Sequence, residues 1–456
     1  MMRDEMAASI GVLMDAGADF CDIQSQSLQG TTVRSINGRL RDLDDRSAEG
    51  LRVRVWKGGR WAYASSVQVD KESLRRCCEE AMRNVRGDRP SIDILAPVSV
   101  GDHHARVGVE PTKVPLEEKV AAVLDLDAAQ KMEGVLNRIA SYSEETKGNI
   151  LLNSAGSDVS WNEVRTRFRA MSVAADGSRV ERYYDGPDGC RGFELVKETD
   201  IEALGRMTAL EAVAALKAVT APSGLLTVIS DPMVTGLLAH EVIGHAAEAD
   251  EVVKGRSFLS GKVGEAVASP LVSLADDGSL PYAHGSLPFD DEGSPSGRTD
   301  IIRDGIYSGY INDLVTANAM GVDPSGNGRA QDFGRRTWVR MTNTFIEPGE
   351  SSLEEIISET GDGILCDKMV NGMEDPVGGG FEAKVLRGFI IRDGEVQGQV
   401  RSFTLTGQAL EILRTVDMVG DRLELDGGMC GKGIEDWVNV SSGGPFLRSR
   451  IIVGGG

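Results

Sequence analysis

His240-Glu241-Val242-Ile243-Gly244-His245 is the stretch richest in reactive groups, and it uses two of the five histidines in the chain. Two imidazoles and a carboxylate are the residue types of a catalytic zinc site. The ring nitrogens hold the ion, and the glutamate takes a proton from the water that the ion activates. The common helical form of such a site sets its histidines four residues apart, about 40° around the axis. Here the second histidine follows five residues after the first, which on a regular α-helix turns it about 140° away. One wide turn of the π type would bring both rings back to a single face. Gly244, just before His245, is the residue expected to relax there.

A working site needs a third protein ligand, and several side chains compete for that place. Cys430 lies in Gly427-Gly428-Met429-Cys430-Gly431-Lys432-Gly433, where glycines let backbone approach an ion closely. Its thiolate would complete a site of two histidines and one cysteine, with a position left open for water. The competitors are His284, Glu248 and the acids Asp290, Asp291 and Glu292. Glu248 follows His245 by one short turn, which suits a ligand or an acid that orients the ring. His284 reads as a surface or turn residue, and Asp290 to Glu292 read equally well as a solvated acidic turn.

The elements that must carry these groups are legible around them. GLLTVIS at 224–230 reads as a short buried strand, and Asp231-Pro232 as the cap and first residue of a helix. That helix is predicted to carry both histidines and to end near Lys254-Gly255. Upstream, a helix near 3–16 leads to hairpins that turn at Asn37-Gly38 and Gly58-Gly59. A helix capped by Asp70 follows, with Cys77 and Cys78 read as buried packing. Pro90, Pro97 and Pro111 mark a linker, in which His103-His104 read as solvated. A middle unit combines helices at 115–132 and 201–217 with strands that turn at Asp176-Gly177. Ile-Ile-Arg-Asp-Gly occurs at both 301–305 and 390–394, each time as a hairpin signal. Helices near 313–320, 351–359 and 407–418 are interleaved, and the final stretch becomes glycine-rich. Strand and helix alternate without a regular period, which predicts an α+β fold. Hairpin-and-helix units over 1–90 and 112–220 would precede a larger mixed α+β domain over 221–456.

Composition bounds the rest. A chain of 456 residues with 41% hydrophobic and 26% charged residues has the make-up of a globular protein. Its 55 glycines exceed the usual share of about 7% and point to many tight turns. A net charge of −21 argues against a nucleic-acid partner. The amino-terminal residues lack the pattern of a secretory signal, and no run approaches the roughly 18 apolar residues of a membrane span. Six scattered cysteines without disulfide-like spacing fit reduced thiols in the cytoplasm.

Taken together, these motifs resemble the TldD/PmbA family of metallopeptidases, and in particular its TldD branch. HEVIGHAAEAD at 240–250 looks like the HExxxH helix of that branch. DDEG at 290–293, GNGR at 326–329, RMTNT at 340–344, GGGF at 378–381 and MCGKG at 429–433 are similar to its further signatures, in the same order. The resemblance implies zinc held by His240, His245 and Cys430, with Glu241 as the general base. It implies hydrolysis of peptides or unfolded protein segments, in a homodimer or a heterodimer with a PmbA/TldE-type subunit. After the cysteine loop the chain reads Ile434-Glu435-Asp436-Trp437, where relatives more often carry a glutamine, so a different substrate preference is expected. GGGF would either present backbone to an extended peptide or form an ordinary turn, and GNGR and RMTNT would either shape the cleft or be plain loop. The alternative is a non-catalytic peptide-binding or regulatory subunit, like a gyrase modulator, whose metal is structural or vestigial.

Overall fold

A computed structural model describes residues 2–86, 93–375, 377–433 and 436–455. Pro90 of the linker and Ile434 and Glu435 of the segment after the cysteine loop lie outside the described residues. Strands and helices are mixed along the chain, which is the α+β arrangement expected.

Two turns set the first sheet. Asn37 and Gly38 both have positive φ (53° and 75°), as do Gly58 and Gly59 (59° and 70°). That is the backbone a two-residue hairpin turn requires. Phe20–Ile36 therefore pairs antiparallel with Arg39–Lys57, which pairs in turn with Arg60–Ser66. Phe20–Ile36 also pairs along its length with Val135–Asn153, so the amino-terminal and middle stretches share one sheet. Among the described residues this sheet has eight strands.

Alternation explains the two faces of that sheet. Val53 and Val55 point to the helices Met2–Asp15 and Lys71–Asn84, in a core with Met6, Leu13, Leu74, Cys77 and Cys78. Their neighbours Arg52 and Arg54 point the other way, yet are equally buried. They meet the carboxy-terminal part of the chain: Arg54 pairs with Asp22 of its own sheet (2.5 Å) and with Glu292 from that later part (2.7 Å).

The carboxy-terminal part is built on two larger sheets, beside a small two-stranded one of Gly328–Arg329 and Trp338–Val339. The glycine-rich end of the chain, which carries little helix or strand periodicity, forms three strands: Glu424–Lys432, Asp436–Gly444 and Leu447–Gly454. Leu447–Gly454 is not peripheral. It lies between Gly224–Ser230 and Phe403–Gln408 in the middle of its sheet. Asp436–Gly444 pairs in parallel with Asn343–Ile346 and antiparallel with Glu424–Lys432, which forms the sheet's edge. The helical segment with the histidine pair packs between the two sheets, its Leu237, Leu238, Val242 and Ile243 buried in the largest core.

The segment after Asp231 departs from the continuous helix expected. An α-helix over Pro232–Leu237 becomes a π-helix over Leu238–Gly244. The chain then turns extended at Glu248 before a short helix, Ala249–Val252. Bonds from Ala249 N–H to Ile311 O and from Ile311 N–H to Ala247 O, a strand-like exchange, hold the break open.

Candidate metal centre

The helix is anchored at its start. Asp231 accepts the backbone N–H of Val234 (2.9 Å), and its second oxygen accepts that of Lys368 (2.9 Å), which pins the helix to the neighbouring strand Gly363–Glu374. Burial pushes the Asp231 carboxyl up to about 7. Nine residues further on, the wide turn is made: the N–H of His245 donates to the carbonyl of His240, a five-residue step. Gly244 serves that turn differently from expectation. Its φ is not positive; instead a Cβ there would lie 2.0 Å from the Met341 sulfur, so glycine makes room for packing.

The π-turn puts the two imidazoles 5.2 Å apart, centre to centre, with planes crossed at 82°. Cys430 arrives from the edge strand Glu424–Lys432, and its Sγ lies 3.3 Å from His245 Nε2. One ligand atom from each of His240, His245 and Cys430 falls within 4.8 Å of the others. Among the described residues no other cluster of three or more such groups has this geometry. Glu241 sits at the margin: its carboxylate is 3.8 Å from His245 Nε2 and its side chain 23% exposed, whereas His240 and Cys430 are buried.

The electrostatics are those of a site that holds protons where a cation would fit. Burial raises the Cys430 thiol, but His240 and His245 beside it outweigh that and hold it well below its ordinary value. Burial lowers His245, yet Cys430 and Glu248 lift it well above the usual imidazole range. His240 is raised too, against burial, chiefly by Cys430. The neighbours therefore favour the thiolate form of Cys430 and the protonated form of both rings. The donor set fits a divalent metal, and thiolate with imidazole favours zinc. Two ligands on one tetrahedral zinc stand roughly 3.6 Å apart, close to the sulfur–nitrogen separation here. His240 Nδ1, buried with no hydrogen-bond partner among the described residues, is a further polar atom in need of one.

The remaining candidates lie elsewhere. Glu248 is not one of the converging ligand atoms; its Oε1 faces His245 Nδ1 at 3.5 Å. His284 is in a turn but not on the surface: it is 6% exposed, with its carbonyl taken by Arg165 (2.7 Å) and Asp188 3.8 Å from its ring. Asp290, Asp291 and Glu292 do not form a solvated turn either. They are buried because they answer the polar face of the first sheet: Gln24 donates to Asp291 and Arg54 to Glu292. Asp290 accepts the N–H groups of Glu292, Ser294 and Gly328. In GGGF, Phe381 is paired on both sides, with Glu374 and Gly407, so its backbone has no free edge to offer a peptide. His103 and His104 are exposed, His103 against the Phe289 ring.

Other residues shape the site as well. Arg340, which opens RMTNT, donates to the carbonyls of Cys430 (2.6 Å) and Asp436 (3.0 Å). Asp276 binds Thr342 and Thr344 and so fixes the adjoining strand. Lys432 reaches Glu248 and Asp250. The period-two placement of Lys432 after Cys430 was the available signal; nothing local marks Asp276.

Comparison with known proteins agrees with the motifs. Residues 21–85, 109–216 and 223–453 match, in turn, domain 1, the central domain and the C-terminal domain of the PmbA/TldA metallopeptidases. A metalloprotease of Methanothermobacter thermautotrophicus is 34% identical over 98% of both chains. A TldD homolog metalloprotease of Haemophilus influenzae is 30% identical over 97% of this chain and 94% of its own. A zinc metalloprotease TldD homolog of Saccharolobus solfataricus is 24% identical over 97% and 98%. In fold, a Thermotoga maritima protein described as a proposed modulator of a DNA gyrase superposes with a TM-score of 0.81 at 23% identity, covering all of both chains. TldE from Thermococcus kodakarensis does so with 0.79 at 21% identity, covering 98% and 99%. The chain thus belongs to the PmbA/TldD metallopeptidase family, within its TldD branch.

Proposed function

We propose that this chain is a zinc-dependent peptidase in which His240, His245 and Cys430 hold the metal and Glu241 is the general base. The observation that carries this reading is the meeting of three ligand atoms within 4.8 Å beside a partly exposed glutamate. A metal, when bound, supplies Lewis acidity for water and for the scissile carbonyl. Glu241 does the proton work: its carboxylate takes a proton from the attacking water and returns it to the leaving amine nitrogen. Its position at the solvent-reaching side supports that role, because the base must meet both water and substrate. Among the described residues the strand Glu424–Lys432, which carries the sulfur, stands at the edge of its sheet, a place that suits an extended peptide or an unfolded segment as substrate.

We assign the protein to the cytoplasm on its six cysteines, all of them free thiols. No helix among the described residues is long and apolar enough to cross a membrane. Two copies, or one copy and a PmbA/TldE-type subunit, would form the working assembly, a reading supported by the likeness in fold to a TldE protein.

Glu241→Gln tests the function. The variant is expected to keep one zinc per chain and to lose roughly 10²–10⁴ in kcat on an unstructured peptide. Undiminished cleavage by this variant refutes the base assignment. Stoichiometric zinc in the unaltered protein, with no cleavage of any unfolded chain, would replace the peptidase reading with that of a peptide-binding subunit.

A further inference from the structure

Residues two apart on a strand project from the same face. Lys432 therefore leaves Glu424–Lys432 on the side of Cys430, toward the histidine-bearing helix. Its ammonium has three protons and three near acceptors: Glu248 Oε2 at 2.8 Å, Asp250 Oδ1 at 2.7 Å and the Val339 carbonyl at 3.2 Å. The other oxygen of Glu248 lies 3.5 Å from His245 Nδ1 and 3.8 Å from Arg340 Nε. Arg340 closes the circuit through the Cys430 carbonyl. A cation two residues beyond the sulfur thus grips the carboxylate that faces one of the imidazoles. The carboxylate favours a proton on Nδ1, which leaves Nε2 turned to the sulfur.

We propose that Lys432 is a positioning residue of the metal centre, locking the thiolate-bearing strand to the imidazole-bearing helix through Glu248. The inference rests on the reading of His240, His245 and Cys430 as ligands. It assigns Lys432 no contact with substrate. A lysine that merely stabilised the fold would pair with acids remote from any ligand, as Arg54 does with Asp22 and Glu292. Lys432 instead binds the one carboxylate in ion-pair range of His245 Nδ1 among the described residues.

The test uses cobalt(II), whose absorption reports thiolate ligation and coordination geometry, added to the full-length metal-free protein. Lys432→Met should weaken cobalt binding about 10- to 100-fold and shift the thiolate-to-cobalt band. Lys432→Arg, which restores the charge, should recover most of the affinity. Lys432→Met leaves two buried carboxylates facing each other, so Lys432→Met/Asp250→Asn is the companion should the single variant fail to fold, and the same loss is expected of it. Unchanged cobalt affinity and spectrum, with only a lower melting temperature of the metal-free protein, would overturn the proposal. If the unaltered protein takes up no cobalt, the ligand reading falls, and this inference with it; if it binds and the variants bind alike, only this inference falls.

Discussion

Arg54 and Cys430 sit in outwardly similar surroundings. Each is buried, each lies on a strand, and each meets charged or polar groups from a distant part of the chain. Around Arg54 the account closes: Nε and Nη2 bind Asp22, Nη1 binds Glu292 and Thr337, and the guanidinium is held well above its ordinary value against burial. Around Cys430 the groups converge differently: a thiol and two imidazoles, each a metal ligand once deprotonated, aim one ligand atom apiece at a shared space. Buried charge alone is therefore a poor sign of function. The sign is a set of like donors that one cation would satisfy, with an acid at its exposed margin.

Removing a member from each cluster should separate them. Cys430→Ala should abolish peptidase activity and weaken zinc by more than the roughly 100-fold that loss of an outer partner costs. Its melting temperature without metal should change little, which calorimetry of the metal-free protein would check. Arg54→Met should do the reverse. It strands the buried carboxylates of Asp22 and Glu292, costing about 3–5 kcal/mol of stability in denaturant titrations. Zinc affinity per folded chain should stay the same. A variant of Arg54 that lost zinc before it lost structure would erase the distinction.

The two regions should also answer pH in opposite directions. Cys430 and nearby carboxylates raise His240 and His245 against burial, so a zinc ion held by these rings would compete with protons for them. Affinity should rise with pH through and beyond about 6.5 and fall on acidification, with about one or two protons released per ion. Calorimetry in buffers of different ionisation heat would count them. At the other cluster, burial and the neighbouring carboxylate hold Asp290 well above its ordinary value, and burial lifts Glu292 to about 7. A carboxyl raised on folding adds stability that is full below its unfolded value and is lost as pH rises through the folded one. This cluster should therefore weaken modestly between about pH 4.5 and 7, the window in which zinc binding strengthens. The effect is the smallest of the set, and it is read from denaturant midpoints of the Cys430→Ala protein. Glu248 runs counter to its fellow acids. Despite burial, Lys432 and His245 hold it at about 2, so its contribution is present above about 4.5 and is lost only in strong acid.

Short-range chemistry was readable from the residues. The cap at Asp231, the turns at Asn37-Gly38 and Gly58-Gly59, and the wide turn that five-residue spacing demands are all local. Each depends on backbone conformation and neighbours a few positions away. The family could be named for the same reason, since motif spacing survives in one dimension. The histidine pair and Glu241 needed no third dimension to be singled out.

Only tertiary structure decided what the far end of the chain contributes. Glycines interrupt any periodicity that would betray the strand Glu424–Lys432, and nothing in Leu447–Gly454 announces its central place, which its partners on both sides set. The burial of His284 and of Asp290 to Glu292 follows from the polar face of a sheet whose partner residues lie 119 to 267 positions earlier, which no local pattern announces. The 3.3 Å between Cys430 and His245 is of the same kind. It is set by the packing of a strand against a helix 185 residues away, and sequence supplies the two side chains without the distance between them.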